Sequence, residues 1–150
     1  MSHTKKRPFE VSLVIPVRPY DVDFLGIVHN IVYIRWLEDL RMQVLAEYFP
    51  LEPAMTGEGI VPVLLRTAID YRRPIRLFDP VMGHMWLKEV GRVRYVLSAQ
   101  FKVHGELMAE AEQVGCFVDL ITRRPVPVPA AIRAAMQLEG EPAAEAAGPS

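Results

Sequence analysis

Residues 17–41 read VRPYDVDFLGIVHNIVYIRWLEDLR, and this stretch decides the fold. From Asn30 to Phe49 the chain has no Pro or Gly, and apolar side chains recur three and four residues apart, which predicts an amphipathic helix. At about 1.5 Å per residue it would be about 27–30 Å long, close to the width of five or six strands at about 4.8 Å each. Its predicted apolar stripe consists of Tyr33, Leu37, Leu40, Val44 and Tyr48, with Ile34 beside it.

Five other segments alternate apolar and polar side chains with the period of two that strands show. These predicted strands are Val11–Val17, Ile60–Tyr71, Val81–Val90, Arg94–Val103 and Leu107–Leu120. Gly115 interrupts the last one and predicts a bulge or a close backbone approach. One early helix and a late run of strands indicate an α+β fold, with one long helix packed on a mainly antiparallel sheet of five or six strands. Pairing of the sheet edges of two copies would give a dimer.

The remaining segments are predicted to be short or irregular. Leu51–Gly59 is a connector rich in Pro and Gly, with room for one helical turn. A short helix is predicted over Ala130–Leu138, following a Pro that suits its first turn. Glu139–Ser150 contains only Ala, Glu, Pro, Gly and one Ser, so we expect a disordered tail. The chain is thus predicted to form one domain over residues 9–138.

Composition excludes several classes of protein. The 150 residues are 51% apolar with a net charge of −1, which suits one globular domain and gives no basic surface for nucleic acid. A single Cys excludes an internal disulfide, and no apolar run approaches membrane-spanning length. The basic N-terminus lacks the apolar segment of a signal peptide. We therefore expect a cytoplasmic protein that binds neither nucleic acid nor membranes.

Two carboxylates precede the predicted helix. Asp21 and Asp23 lie a few residues before its start, where unpaired N–H groups and partial positive charge can hold an oxyanion. A carboxylate facing such donors is the minimum set for acyl transfer, and Gly26 would allow a substrate to approach the backbone closely. On spacing alone, however, capping of the helix is the more frequent role of such an Asp.

Two motifs resemble those of a known family. Residues 20–30 (YDVDFLGIVHN) followed by residues 33–41 (YIRWLEDLR) resemble the signature of the 4-hydroxybenzoyl-CoA thioesterase-like branch of the hotdog-fold acyl-CoA thioesterases. Residues 70–74 (DYRRP) and 79–81 (DPV) resemble the family's later segment, in which one strand ends at Y-x-x-P and the next begins after an Asp. The similarity spans about residues 11–129. It implies subunits that share one sheet, as a homodimer or homotetramer, with active sites at their interface.

The resemblance also implies roles for individual residues. Asp23 matches the catalytic carboxylate of the family, and the backbone N–H groups of His29 and Asn30 match the donors that polarise the thioester carbonyl. Whether Asp23 attacks the carbonyl or activates a water is left open by the sequence. Tyr33 is predicted to be a core or interface aromatic with one edge that lines an acyl pocket.

Basic side chains could bind the phosphates of coenzyme A. Arg72, Arg73 and Arg76 crowd one predicted turn, and Arg92 and Arg94 flank another. We favour Arg92 and Arg94 for this role over a purely solvated loop. Removing their charge is expected to raise KM for acyl-CoA and leave kcat nearly unchanged.

Other kinds of chemistry are not supported by the sequence. The histidines lack metal-ligand spacing, so we expect no metal site and no cofactor. Cys116 lies among apolar residues and is predicted to be a buried structural thiol. The prediction is therefore an oligomeric acyl-CoA thioesterase. The alternatives are a hotdog hydratase or dehydratase and a non-catalytic acyl-CoA-binding module, and the acyl group and its carrier, CoA or a carrier protein, are open.

Overall fold

The computed structural model describes residues 7–49 and 59–137, and a single long helix, α1 (Val32–Tyr48), lies at its centre. Five long or medium strands and one short strand form one sheet. They are β1 (Val11–Ile15), β2 (Ile60–Tyr71), β3 (Val81–Val90), β4 (Arg94–Val103), β5 (Glu106–Asp119) and β6 (Pro125–Val126). A 3₁₀ turn, Pro19–Asp21, follows β1, and residues 130–137 are helical. The predicted α+β architecture is confirmed.

All neighbouring strands of the sheet are antiparallel. The spatial order is β1-β3-β4-β5-β2, and the short β6 pairs with β5. Strands β1 and β2 therefore form its two edges. Because Ile15 pairs with Val81, the chain leaves β1 beside the start of β3, and this corner of the sheet carries the loop that leads into α1.

The core lies between α1 and one face of the sheet. Leu37 and Leu40 of the helix are completely buried, as is Phe101 of β4. Helix and sheet approach closely at Gly83, where an added Cβ would lie 2.6 Å from Ile15 Cδ1 and 3.2 Å from Leu40 Cδ1. A side chain at position 83 would therefore separate α1 from the sheet.

Three sequence predictions differ from the structure in detail. Ile34 is half exposed rather than part of the buried stripe, because it lies about 100° around the helix from Tyr33. The helix begins two residues later than predicted. Strand β1 ends at Ile15, directly before Pro16, which cannot donate a hydrogen bond to the sheet.

Gly115 is a close approach and not itself the bulge. An added Cβ there would lie 2.3 Å from Tyr95 Oη and 2.5 Å from the Val63 carbonyl oxygen. The irregularity in pairing falls on the neighbouring strand, between Leu64 and Arg66 of β2.

Some predictions fall on residues that the structure does not describe. Most of the connector predicted over Leu51–Gly59, position 138 of the predicted short helix and the tail predicted over Glu139–Ser150 lie outside the described residues. Within the described residues, no helix is both long and apolar enough to cross a membrane.

Candidate active site

Asp21 fixes both ends of the loop between β1 and α1. Its side chain is buried; Oδ2 accepts a hydrogen bond from the Arg18 N–H (2.9 Å), and Oδ1 lies 3.3 Å from Nη1 of Arg35 on the helix. Its backbone carbonyl accepts the N–H of His29 (2.9 Å) at the end of the loop. This one residue therefore ties the strand end, the loop end and the helix together.

Asp23 lies at the exposed tip of the same loop. Its Oδ1 accepts two backbone hydrogen bonds, from Leu25 (2.8 Å) and Ile27 (3.0 Å), while Oδ2 accepts none from the described residues. The pKa of Asp23 lies below its ordinary value of 3.8, mainly because the Ile27 N–H stabilises the carboxylate. Desolvation raises the pKa, but the Leu25 N–H and the charge of His29 lower it further. Asp23 is thus an ionised carboxylate with one oxygen held in place and the other open.

Gly26 allows this tight turn. It has a φ of +77°, a conformation that side chains rarely adopt, and its N–H donates to the Asp23 carbonyl (2.9 Å). No atom lies within 4 Å of the place where its Cβ would be. Space for a close approach to the backbone, which the sequence predicted at Gly26, is therefore present.

The hydrogen bonds at the loop–helix junction correct one of the predicted oxyanion donors. The N–H of His29 already donates to the Asp21 carbonyl, so it is not available to a thioester. In the described part of the chain, the next two N–H groups, of Asn30 and Ile31, have no acceptor. The Asn30 N–H is therefore free to serve as the donor that was predicted, whereas His29 presents only its exposed ring beside Asp23.

A second loop, residues 72–80, packs against the first. Ile27 and Arg76 form an antiparallel bridge, and Leu77 N–H donates to the Gly26 carbonyl (3.0 Å). A hollow of about 210 Å³ opens between the two loops and the start of α1. Its lining includes Ile27, Val28, Asn30, Tyr33, Tyr71 and Pro74.

Tyr33 lies beneath this hollow. It is 2% exposed, and its ring packs edge-on against Tyr71 (5.0 Å between centroids, 82°) and Phe101 (5.6 Å, 83°). Burial raises the pKa of Tyr33 to about 12, so its phenol stays protonated at neutral pH. Tyr33 is thus a core aromatic that lines the hollow, as the sequence predicted.

Larger hollows lie elsewhere and lack this chemistry. One hollow, of about 460 Å³, lies on the outer face of the sheet, where Lys88 pairs with Glu112. Another of about 310 Å³ lies beside Asp21 and Arg35, whose charges already pair with each other. The hollow beside Asn30 is smaller, but it alone among the three is lined by a junction residue whose N–H has no acceptor in the described part of the chain.

The two predicted groups of arginines lie at opposite ends of the sheet. Arg92 and Arg94 follow the end of the ten-residue strand β3, about 30 Å from the corner that carries Asp23. Within one chain they are therefore not part of the site. Arg76 lies on the loop that pairs with Ile27.

Tyr71 is a residue of the site that the sequence analysis quoted but gave no role. Its Oη donates a hydrogen bond to the Asn30 carbonyl (2.9 Å). The Y-x-x-P pattern marks this Tyr, but a contact across 41 positions leaves no local signal in the sequence. Cys116 is buried, and in residues 7–49 and 59–137 no three His, Cys, Asp or Glu side chains are grouped to hold a metal ion.

Comparison with known proteins identifies the family of this chain. The model of the thioesterase-like superfamily matches residues 17–136. A candidate esterase from Aquifex aeolicus is 30% identical over 103 residues, which cover 68% of this chain and 80% of that protein. A candidate acyl-CoA thioesterase from Bacillus subtilis is 24% identical over 113 residues, covering 75% and 82%.

Solved structures of similar proteins share the fold. A thioesterase from Thermus thermophilus, crystallised with coenzyme A and zinc, superposes with a TM-score of 0.73 at 28% identity, over 87% of this chain and 93% of that one. A 1,4-dihydroxy-2-naphthoyl-CoA thioesterase from Synechocystis superposes with the same score at 17% identity, over 85% and 95%. With 120 of 150 residues matched by the superfamily model, this chain belongs to the thioesterase-like superfamily and is a thioester hydrolase of the hotdog fold.

Proposed function

We propose that the protein hydrolyses acyl-CoA thioesters, with Asp23 as the catalytic carboxylate and the Asn30 N–H as an oxyanion donor. One observation carries this proposal. Asp23 is ionised, its Oδ1 is held by two N–H groups and its Oδ2 is open, on the same loop that ends at the unpaired N–H of Asn30. One short loop thus carries both a base or nucleophile and, at its end, a donor for the developing charge.

Two routes use this arrangement. In the first, Asp23 Oδ2 attacks the thioester carbon, the C–S bond breaks, the CoA thiolate leaves, and water then hydrolyses the mixed anhydride and regenerates the carboxylate. In the second, Asp23 takes a proton from a water whose oxygen attacks the carbonyl, the C–S bond of the tetrahedral intermediate then breaks, and the proton neutralises the departing CoA thiolate. In both, the Asn30 N–H would bind the oxygen that becomes negative.

Coenzyme A belongs to the proposal because a similar thioesterase was crystallised with it. From this chain, Arg76 is the arginine on the loop bridged to Ile27, while Arg72 and Arg73 form ion pairs with Glu110 and Glu106. A role of Arg92 and Arg94 in phosphate binding requires that they come from another subunit. The proposed compartment is the cytoplasm, which fits a chain with a single, buried Cys.

Release of free thiol from a panel of aromatic and aliphatic acyl-CoAs tests the proposal. We expect turnover by the wild type and a loss of kcat of at least about a hundredfold in Asp23→Asn, because the amide is neither a base nor a comparable nucleophile. Asp21→Asn is the matched control, since it makes the same change two residues away in a side chain bound within the protein. We expect a smaller loss there.

Two outcomes would contradict the proposal. If the folded wild type released no thiol from any acyl-CoA, the protein would not be an acyl-CoA hydrolase. If Asp21→Asn lost more activity than Asp23→Asn, the roles of the two carboxylates would be exchanged.

Heavy-oxygen water tests for the mixed anhydride. In a single turnover, label found in the Asp23 carboxylate indicates the mixed anhydride, because water adds one oxygen to that carboxylate when it attacks on the side of Asp23. Label found only in the free acid indicates activation of water or attack on the acyl side.

A further inference from the structure

The hydroxyl of Tyr71 holds the peptide group that joins Asn30 to Ile31. Its Oη lies 2.9 Å from the Asn30 carbonyl oxygen, which belongs to the same peptide group as the Ile31 N–H. A hydrogen bond to a carbonyl polarises its peptide and strengthens the N–H on the other side as a donor. The contact also fixes the orientation of that peptide at the start of α1.

The neighbouring peptide groups at this junction are held by other hydrogen bonds. Val28 N–H donates to the Ile75 carbonyl (2.9 Å), His29 N–H to the Asp21 carbonyl (2.9 Å), and Val32 N–H to the His29 carbonyl (3.0 Å). The Asn30 carbonyl has the Tyr71 hydroxyl instead. Without that bond, no other described group would hold the Asn30–Ile31 peptide from its carbonyl side.

The backbone of Tyr71 is held in place by the pairing of β2 with β5. It is the last residue of β2 and pairs with Ala109 of β5, and the next two N–H groups, of Arg72 and Arg73, donate to the Met108 carbonyl (2.9 and 3.0 Å). Its ring packs edge-on against the buried Tyr33. Partial burial raises the pKa of Tyr71, so its hydroxyl keeps its proton at neutral pH and remains a donor.

We propose that Tyr71 is a positioning residue for thioester hydrolysis: through its bond to the Asn30 carbonyl it orients the Asn30–Ile31 peptide, so that the Ile31 N–H joins the Asn30 N–H as a donor to the reacting carbonyl oxygen. This inference rests on the proposed function and deepens it. Tyr71 acts through the backbone, so its hydroxyl contributes to the transition state and not to the binding of acyl-CoA.

Tyr71→Phe tests the inference because it removes only the hydroxyl and leaves the ring against Tyr33. Tyr48→Phe is the matched control, since the Tyr48 hydroxyl donates to a backbone carbonyl, that of Glu10 (3.0 Å), at the other end of the same helix. For Tyr71→Phe we expect kcat to fall about three- to tenfold, as for the loss of one neutral hydrogen bond, with KM and Tm close to wild type. Tyr48→Phe should keep kcat within about twofold.

Three outcomes would overturn the inference. They are an unchanged kcat in Tyr71→Phe, an equal loss in both variants, or a rise in KM at constant kcat. Asp23→Asn, assayed on the same acyl-CoA, separates this inference from the proposed function. Activity that is lost in Asp23→Asn but unchanged in Tyr71→Phe rejects only the role of Tyr71. A wild type without turnover on any acyl-CoA rejects both.

Discussion

Two carboxylates two residues apart have opposite environments. Asp21 is buried and bound to Arg18 and Arg35, so its oxygens are occupied by the protein. Asp23 is exposed, and one of its oxygens is open. The division follows from the turn after β1, in which the first Asp faces the helix and the second faces solvent. A carboxylate whose oxygens are already bonded within the protein is a poor candidate for chemistry, and this contrast favours Asp23 over Asp21 in the proposed mechanism.

The lowered pKa of Asp23 predicts the acid side of the pH profile. The group is active when ionised, and the Ile27 N–H, followed by the Leu25 N–H and the charge of His29, lowers its pKa below 3.8 against the opposing effect of burial. Activity should therefore persist as the pH falls through the ordinary range of an Asp and decline only below it. The measurement is kcat/KM against pH, which reports the free enzyme, with circular dichroism at each pH to show that the protein stays folded.

A decline centred well above pH 3.8 in folded protein would contradict this expectation. It would mean that a group other than Asp23 controls the reaction. His29→Gln is the accompanying variant, because it removes the nearby ring charge but keeps the backbone. We expect it to move the decline slightly upward in pH.

At the scale of residues, the sequence identifies Asp23 and Asn30 as candidates but does not show how their neighbours are bonded. The D-x-D-x-x-G spacing and the predicted helix start are local patterns, and they mark these two positions. That the His29 N–H donates to Asp21, and that Tyr71 reaches Asn30, depends on how the loop turns and on which strand ends beside it. Such contacts between distant positions are not encoded in any short pattern.

The bounds of β2, β3, β4 and β5 were predicted closely because apolar and polar side chains alternate along them. Strands β2, β3 and β4 have the predicted bounds, and β5 differs by one residue at each end. Residues 108–113 of β5 have the propensity of a helix, but pairing with β2 and β4 on both sides outweighs it. The placement of Arg92 and Arg94 was harder, because their distance from Asp23 depends on the direction in which β3 runs.

The close approach at Gly115 predicts a large effect of a small substitution. In Gly115→Ala the new methyl group would meet Tyr95 Oη at 2.3 Å and the Val63 carbonyl at 2.5 Å, and the backbone atom cannot rotate away. We expect a loss of about 1–3 kcal/mol in the free energy of unfolding, measured by urea denaturation.

Gly91→Ala, in the turn between β3 and β4, is the control. Its Cβ would lie 3.5 Å from the Arg94 carbonyl oxygen, an ordinary contact, so its stability should stay within about 1 kcal/mol of wild type. Equal stability of the two variants would show that β5 can move away from Tyr95.

At the scale of the whole molecule, two sheet edges and several apolar side chains are exposed. In the described chain β2 pairs with β5 on one side and has no strand on the other. Leu65 and Tyr71 on β2, and Ile31 and Ile34 at the start of α1, are 43–70% exposed. A long edge strand bordered by apolar side chains favours pairing with another chain, and a second copy is the partner that we expect.

We therefore predict that the 17.0 kDa chain sediments with at least twice that mass and that β2 forms the interface. Leu65→Lys would place two like charges near each other across a pair of β2 edges, so it should shift the mass toward 17.0 kDa. Val14→Lys is the control: Val14 is 76% exposed on β1, the opposite edge, and its variant should sediment like wild type. Analytical ultracentrifugation at several concentrations measures both. A monomeric wild type would reject the interface, and dissociation by Val14→Lys but not by Leu65→Lys would move it from β2 to β1.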